Sequence, residues 1–129
     1  MIPRPDKPVV FVASPYSNGD TAANVHFQCA IFDRLLGEGV VLPYVPLWTH
    51  FQHTIFPRRY EEWLAYDQQM LKLCDCCVRL IATCDRTGYV QVESSGADKE
   101  VEAFQRMGRP VFHSIEDMYA WARGTDHAK

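Results

Sequence analysis

A chain of 129 residues with 47% hydrophobic and 22% charged content is sized for one globular domain, residues 1–129, around one buried core. Its formal net charge of -3 and pI near 5.9, with no long cluster of Lys and Arg, argue against a nucleic-acid polymer as partner. The first apolar run, Val9 to Ala13, falls far short of the roughly 18 residues of a membrane span, so no membrane partner and no signal segment are expected, and a cytoplasmic location is.

That run, VVFVA, has no polar alternation, which is how a strand covered on both faces reads, and it is expected at the centre of the sheet. The turn formers Ser14 to Asp20 follow, then a helix over Ala22 to Leu36 with Val25, Cys29, Phe32 and Leu36 as its stripe, ended by Gly37 and Gly39. Val40 to Val45 forms a second strand, and Pro43 within it points to an outer position. The segment Pro46 to Pro57 is too aromatic for a plain solvated loop and suits a lid or pocket wall. Helical spacing returns over Arg58 to Leu73, where Trp63, Met70, Leu71 and Leu73 are available for burial, and Asp75 closes it.

Cys76 to Ala82 reads as a third strand and Thr83 to Val92 as a polar loop. Ser95 and Asp98 make a capping-box pattern for a helix that runs to Met107 and stops at Gly108. A short fourth strand, Pro110 to His113, precedes a helix capped by Ser114 that reaches about Arg123, with a frayed tail from Gly124. Five cysteines at Cys29, Cys74, Cys76, Cys77 and Cys84 match neither a disulfide scaffold nor a paired zinc site, and read as reduced, mostly buried thiols.

Strands alternating with helices imply right-handed β-α-β units, hence an α/β fold: a three-layer α/β/α sandwich around a doubly wound parallel sheet of four to five strands, Rossmann- or flavodoxin-like. Ligands in such sheets bind beyond the carboxyl ends of the strands, where the strand order reverses. That rule selects Ser14 to Asn18, Trp48 to His53 and Glu93 to Gly96.

Within ESSGADKE, residues Glu93 to Glu100, the apolar stripe Ala97, Val101, Phe104 leaves Glu100 roughly 60° from the stripe's centre, at the border of the core. Gly96 stands on the same flank one turn earlier, so a ligand reaching the helix start meets the Glu100 carboxylate. The Ser94 and Ser95 hydroxyls and the free N–H groups suit a phosphate. The other reading of the same residues is a rim carboxylate paired with an Arg and a simple cap. His50-x-x-His53 has metal-binding spacing without an obvious third ligand, and no metal or cofactor is expected. Trp48, His50 and Phe51 are placed against a base, a neighbouring subunit or the core.

VFVASPYS after the first strand, EEWLAYDQQMLKLCD before the third and ESSGADKE at the next helix together resemble the nucleoside 2-deoxyribosyltransferase-like superfamily, over about Val9 to Phe112, and within it a bacterial and phage branch sharing the ASPYS start. The resemblance implies that Glu100, four residues after Gly96, is the nucleophile that attacks the anomeric carbon. It implies that Asp67, eight residues before Asp75, assists the leaving base or positions the sugar, and that Tyr16 orients the nucleophile. Ser94 stands six residues before Glu100, where transferases acting on free nucleosides carry an aspartate and nucleoside-monophosphate hydrolases a phosphate-binding serine. The expected partner is therefore a small-molecule nucleotide or nucleoside, the reaction N-glycosidic cleavage, and the assembly a homo-oligomer. A nucleotide-binding module that does not turn its ligand over is the alternative.

Overall fold

In a computed structural model, residues 5–14, 16, 20–80, 82–85, 88–91 and 95–127 are described, with 82–85, 88–91, 95 and 125–127 described by their backbone alone. In chain order the elements are β1 (Val9–Ala13), α1 (Thr21–Glu38), β2 (Leu42–Tyr44), a 3-10 turn (Pro46–Trp48), α2 (Thr49–Ile55), α3 (Tyr60–Met70), a second 3-10 turn (Leu71–Leu73) and β3 (Cys76–Arg79). They continue with β4 (Ala82–Asp85), β5 (Gly88–Gln91), α4 (Ser95–Arg106), β6 (Val111–Phe112) and α5 (Ile115–His127).

The main sheet has the order β2-β1-β3-β6, and its pairings are all parallel. β1 is interior, as its unbroken apolar run requires, and β2 with Pro43 lies at the edge, where a missing backbone N–H costs no ladder bond. Alternation along the strands divides the core in two. Val10, Val12, Cys76 and Val78 face Leu35 of α1 and Met118 and Ala122 of α5, whereas Phe11, Ala13 and Cys77 face Leu71, Ala97 and Phe104 on the α3–α4 side. The result is a three-layer α/β/α sandwich. Because β2 and β3 lie on opposite sides of β1, the order reverses there and opens a crevice at the carboxyl ends of β1 and β3.

Several elements differ from the pattern-based reading. The third strand stops at Arg79, and the stretch read as a polar loop contains an antiparallel hairpin with Thr83 opposite Val90 and Cys84 opposite Tyr89. Residues 46–57 are mostly helical rather than a loop. In α1 the buried set is Asn24, Val25, Phe27, Gln28 and Leu35, while Leu36 is exposed, because two polar side chains take the inward face to hold the turns above β1. Leu73 is exposed as well, and Leu71 carries the burial at the end of that segment.

Gly39 and Gly108 have φ of 72° and 70°, the left-handed conformation that stops a helix. α1 runs through Gly37, and α5 continues past Gly124 to His127, so the tail from Gly124 is helical rather than frayed over those residues. A glycine without that left-handed turn weakens a helix without ending it. The cap on α5 forms as expected, the Asp117 amide donating to Ser114 Oγ at 3.1 Å. Asp75 accepts from the Val9 amide at 2.8 Å, tying the start of β3 to that of β1.

Candidate active site

A cavity of about 260 Å³ opens at the crevice. Ser14 and Tyr16 reach it from the end of β1, His50 and His53 from α2, Asp67 from α3, and Gly96 and Glu100 from α4. Four separate stretches of the chain thus meet around one space. Its volume is near the lower end of the roughly 300–1,000 Å³ of small-molecule sites.

Glu100 is 8% exposed and Arg79 is 3% exposed. Burial first, and then the charge of neighbouring Asp67, push the Glu100 carboxyl well above its ordinary pKa, while Arg79 pulls the other way. Burial pushes Asp67 up to about 7, and its Oδ1 has no hydrogen-bond partner among the described residues. Burial thus favours the protonated form of both carboxyls, and at Glu100 the charge of Asp67 adds to that effect.

The cavity's upper wall is tied together by polar side chains. Tyr16 Oη lies 2.7 Å from His50 Nδ1, and burial raises the phenol's pKa. Asn24 donates to the Tyr16 carbonyl at 2.9 Å. Gln28, fully buried, donates through Nε2 to Val12 O at 3.1 Å and Ser14 Oγ at 2.9 Å, and its Oε1 accepts from the Leu47 amide at 2.8 Å. One side chain thereby fixes the end of β1 and the turn before α2. His53 Nδ1 accepts from Trp63 Nε1 at 2.9 Å and from the Arg58 amide at 3.2 Å; since an indole N–H only donates, the His53 ring proton resides on Nε2.

Among the residues expected from sequence, Ser14, Tyr16, His50, Asp67, Gly96 and Glu100 come together on this cavity. Trp48 does not: its ring packs against Phe32 with centroids 4.7 Å apart and borders a separate hollow with Tyr44 and Tyr66. Ser94 lies outside the described residues, and Ser95 begins α4, its side chain likewise not described. The two histidines of His50-x-x-His53 engage Tyr16 and Trp63, and no group of three potential metal ligands occurs among the described residues. Burial drives the Cys74 and Cys76 thiols up to about 12, and Cys77 higher still, so these are packing groups rather than nucleophiles.

Gln28, Asn24 and Arg79 were not among the sequence candidates. The signal for Arg79 was a single cation inside the apolar stretch Cys76 to Ala82, and for Gln28 an amide within the apolar spacing of α1.

Fold and cavity together define an α/β domain with an acidic crevice at its topological switch point. No family model matches the chain, and no curated protein matches it.

Proposed function

We propose that the protein cleaves the N-glycosidic bond of a nucleoside 5'-monophosphate or deoxynucleoside, by hydrolysis or by transfer of the sugar. The observation that carries this reading is the pair of carboxyls, Asp67 and Glu100, on the wall of one cavity, where burial raises the proton affinity of each. Breaking the bond from C1' to the base develops positive charge on the sugar, which a neighbouring carboxylate stabilises and can trap as an ester.

In the proposed sequence, the C1'–N electron pair leaves with the base, whose nitrogen takes the proton from Asp67. A Glu100 oxygen bonds to C1'. Water then attacks C1', its proton passing to the Asp67 carboxylate, and the ester oxygen returns to Glu100. Transfer uses the nitrogen of a second base in place of water. Tyr16, anchored by His50, orients the Glu100 nucleophile, and the N-terminus of α4 with Ser94 and Ser95 receives the phosphate.

The competing reading, a nucleotide-binding module without turnover, draws on the burial of Glu100, which favours its neutral form. Incubation with a panel of nucleoside 5'-monophosphates and deoxynucleosides, followed by chromatography for free base, separates the two. Base release that Glu100→Ala abolishes while ligand binding persists supports catalysis; release unchanged in that variant, or absent throughout, removes it.

The same reading takes the protein as a cytoplasmic homo-oligomer. No helix of the described residues is long and apolar enough to cross a membrane, and the exposed Trp48, Phe51, Ile55 and Phe56 offer apolar surface to a second copy.

A further inference from the structure

We propose that His53 is a specificity-determining residue: it offers a fixed N–H donor to the base, so the cavity selects nucleotides whose base carries a carbonyl rather than an amino group at the edge away from the sugar. That a base lies against it rests on the glycoside reading above. His53 is the second histidine of His50-x-x-His53 and stands half-buried on the cavity wall.

Its two hydrogen bonds both end on Nδ1. Trp63 Nε1 donates to that atom at 2.9 Å and the Arg58 amide at 3.2 Å, and an indole or backbone N–H can only donate. Nδ1 therefore presents a lone pair, the ring is neutral, and the proton lies on Nε2. The Trp63 and His53 rings meet edge to face, with centroids 6.1 Å apart and planes at 75°. The imidazole is thus held from α3 and from the turn before it at once. Nε2 has no hydrogen-bond partner among the described residues.

In the proposed reaction Asp67 gives its proton to the departing base, which places the base beside α3. Trp63 precedes Asp67 on that helix by one turn, about 6 Å along its axis. Pro46, Leu47, Trp63 and Leu64 give this part of the cavity an apolar lining, which suits a flat ring. The neighbouring polar side chains are engaged: Thr49 Oγ1 with the Pro46 carbonyl at 2.8 Å, His50 with Tyr16, and Arg58 with Glu62 at 3.1 Å. The His53 N–H is left to the base. A ring carbonyl accepts from it, whereas an exocyclic amino group sets donor against donor. Opposed donors in a poorly solvated site discriminate strongly.

The test is calorimetry in the Glu100→Gln background, which stops turnover. It compares deoxyuridine with deoxycytidine 5'-monophosphate, and inosine with adenosine 5'-monophosphate, each pair exchanging a carbonyl for an amino group at that edge. In the pair that binds, the carbonyl member should bind at least about tenfold more tightly. His53→Phe, which keeps a ring and removes the donor, should bring the two members within about twofold. Equal binding with His53 intact, preference for the amino member, a preference that survives His53→Phe, or no binding of any of the four overturns the proposal. If His53→Phe does not fold by circular dichroism, ¹⁵N NMR of histidine-labelled protein carries the test: the His53 Nε2 proton should move downfield with the carbonyl member, and no movement overturns the proposal. Base release by the parent at equal rates from both members removes this inference and leaves the glycoside reading standing. A carbonyl preference that His53→Phe abolishes, with no base released by the parent, leaves the inference standing and removes the glycoside reading.

Discussion

Tyr16 Oη and His50 Nδ1 are 2.7 Å apart, a bond that joins the loop after β1 to helix α2 across 34 residues. It holds both side chains on the cavity wall. A hydrogen bond of this kind contributes about 0.5–1.5 kcal/mol. A double-mutant cycle with Tyr16→Phe and His50→Ala, read in urea unfolding, should return a coupling energy in that range. Additive losses would mean that the two groups are held independently.

Gln28 makes three polar contacts from a fully buried position. Gln28→Leu preserves bulk but leaves the Leu47 amide, Val12 carbonyl and Ser14 hydroxyl without that partner. Each unmet buried group costs about 1–3 kcal/mol. With partial relaxation, the variant should lose about 2–4 kcal/mol of unfolding free energy. Loss of ligand binding should accompany it, since Ser14 and the Leu47 turn line the cavity. Parental stability in urea would show that the amide is replaceable.

Asp67 sets a pH dependence of stability whose sign follows from linkage. Its folded pKa of about 7 lies above the ordinary 3.8, so the folded state holds the proton more tightly than the unfolded chain. The contribution is fully present below pH about 4, where both states are protonated. It declines as pH rises from about 4 to 7 and stays lost above that. Asp67→Asn removes the titration, so the variant should gain on the parent by a few kcal/mol between urea unfolding curves at pH 4 and pH 8. An identical pH profile in both proteins would place the Asp67 carboxyl in ordinary solvation.

What was readable beforehand follows what one-dimensional patterns encode. Pro43 marked an edge strand because a missing N–H has few tolerated places in a sheet. The stripe Ala97, Phe104 oriented α4 and hence Glu100, although Glu100 lies further inside than its angular offset suggested. Gln28 and Arg79 escaped because apolar periodicity treats every polar residue as outward-facing, and their partners, Leu47 and Asp98, are 19 residues distant in sequence in each case. The β4–β5 hairpin escaped for a related reason: polar residues within 83–92 suggest a loop, whereas antiparallel backbone pairing does not require a continuous apolar run. For Trp48 residue type alone leaves a base, a neighbouring subunit and the core open, and the turn after β2 directs its ring to Phe32 rather than to the cavity.

Gly96 separates folding from ligand access. An added Cβ there would lie 3.8 Å from the Tyr60 hydroxyl, an ordinary contact, so Gly96→Ala should fold normally. Relief of glycine's backbone entropy adds up to about 0.5–1 kcal/mol. Longer side chains extend past that Cβ into a cavity of only about 260 Å³. Gly96→Leu should therefore melt close to the parent while binding a nucleoside 5'-monophosphate at least about tenfold more weakly by calorimetry, equivalent to about 1.4 kcal/mol. Undiminished binding in a folded Gly96→Leu would move the ligand away from the start of α4, and with it the approach of any sugar to Glu100.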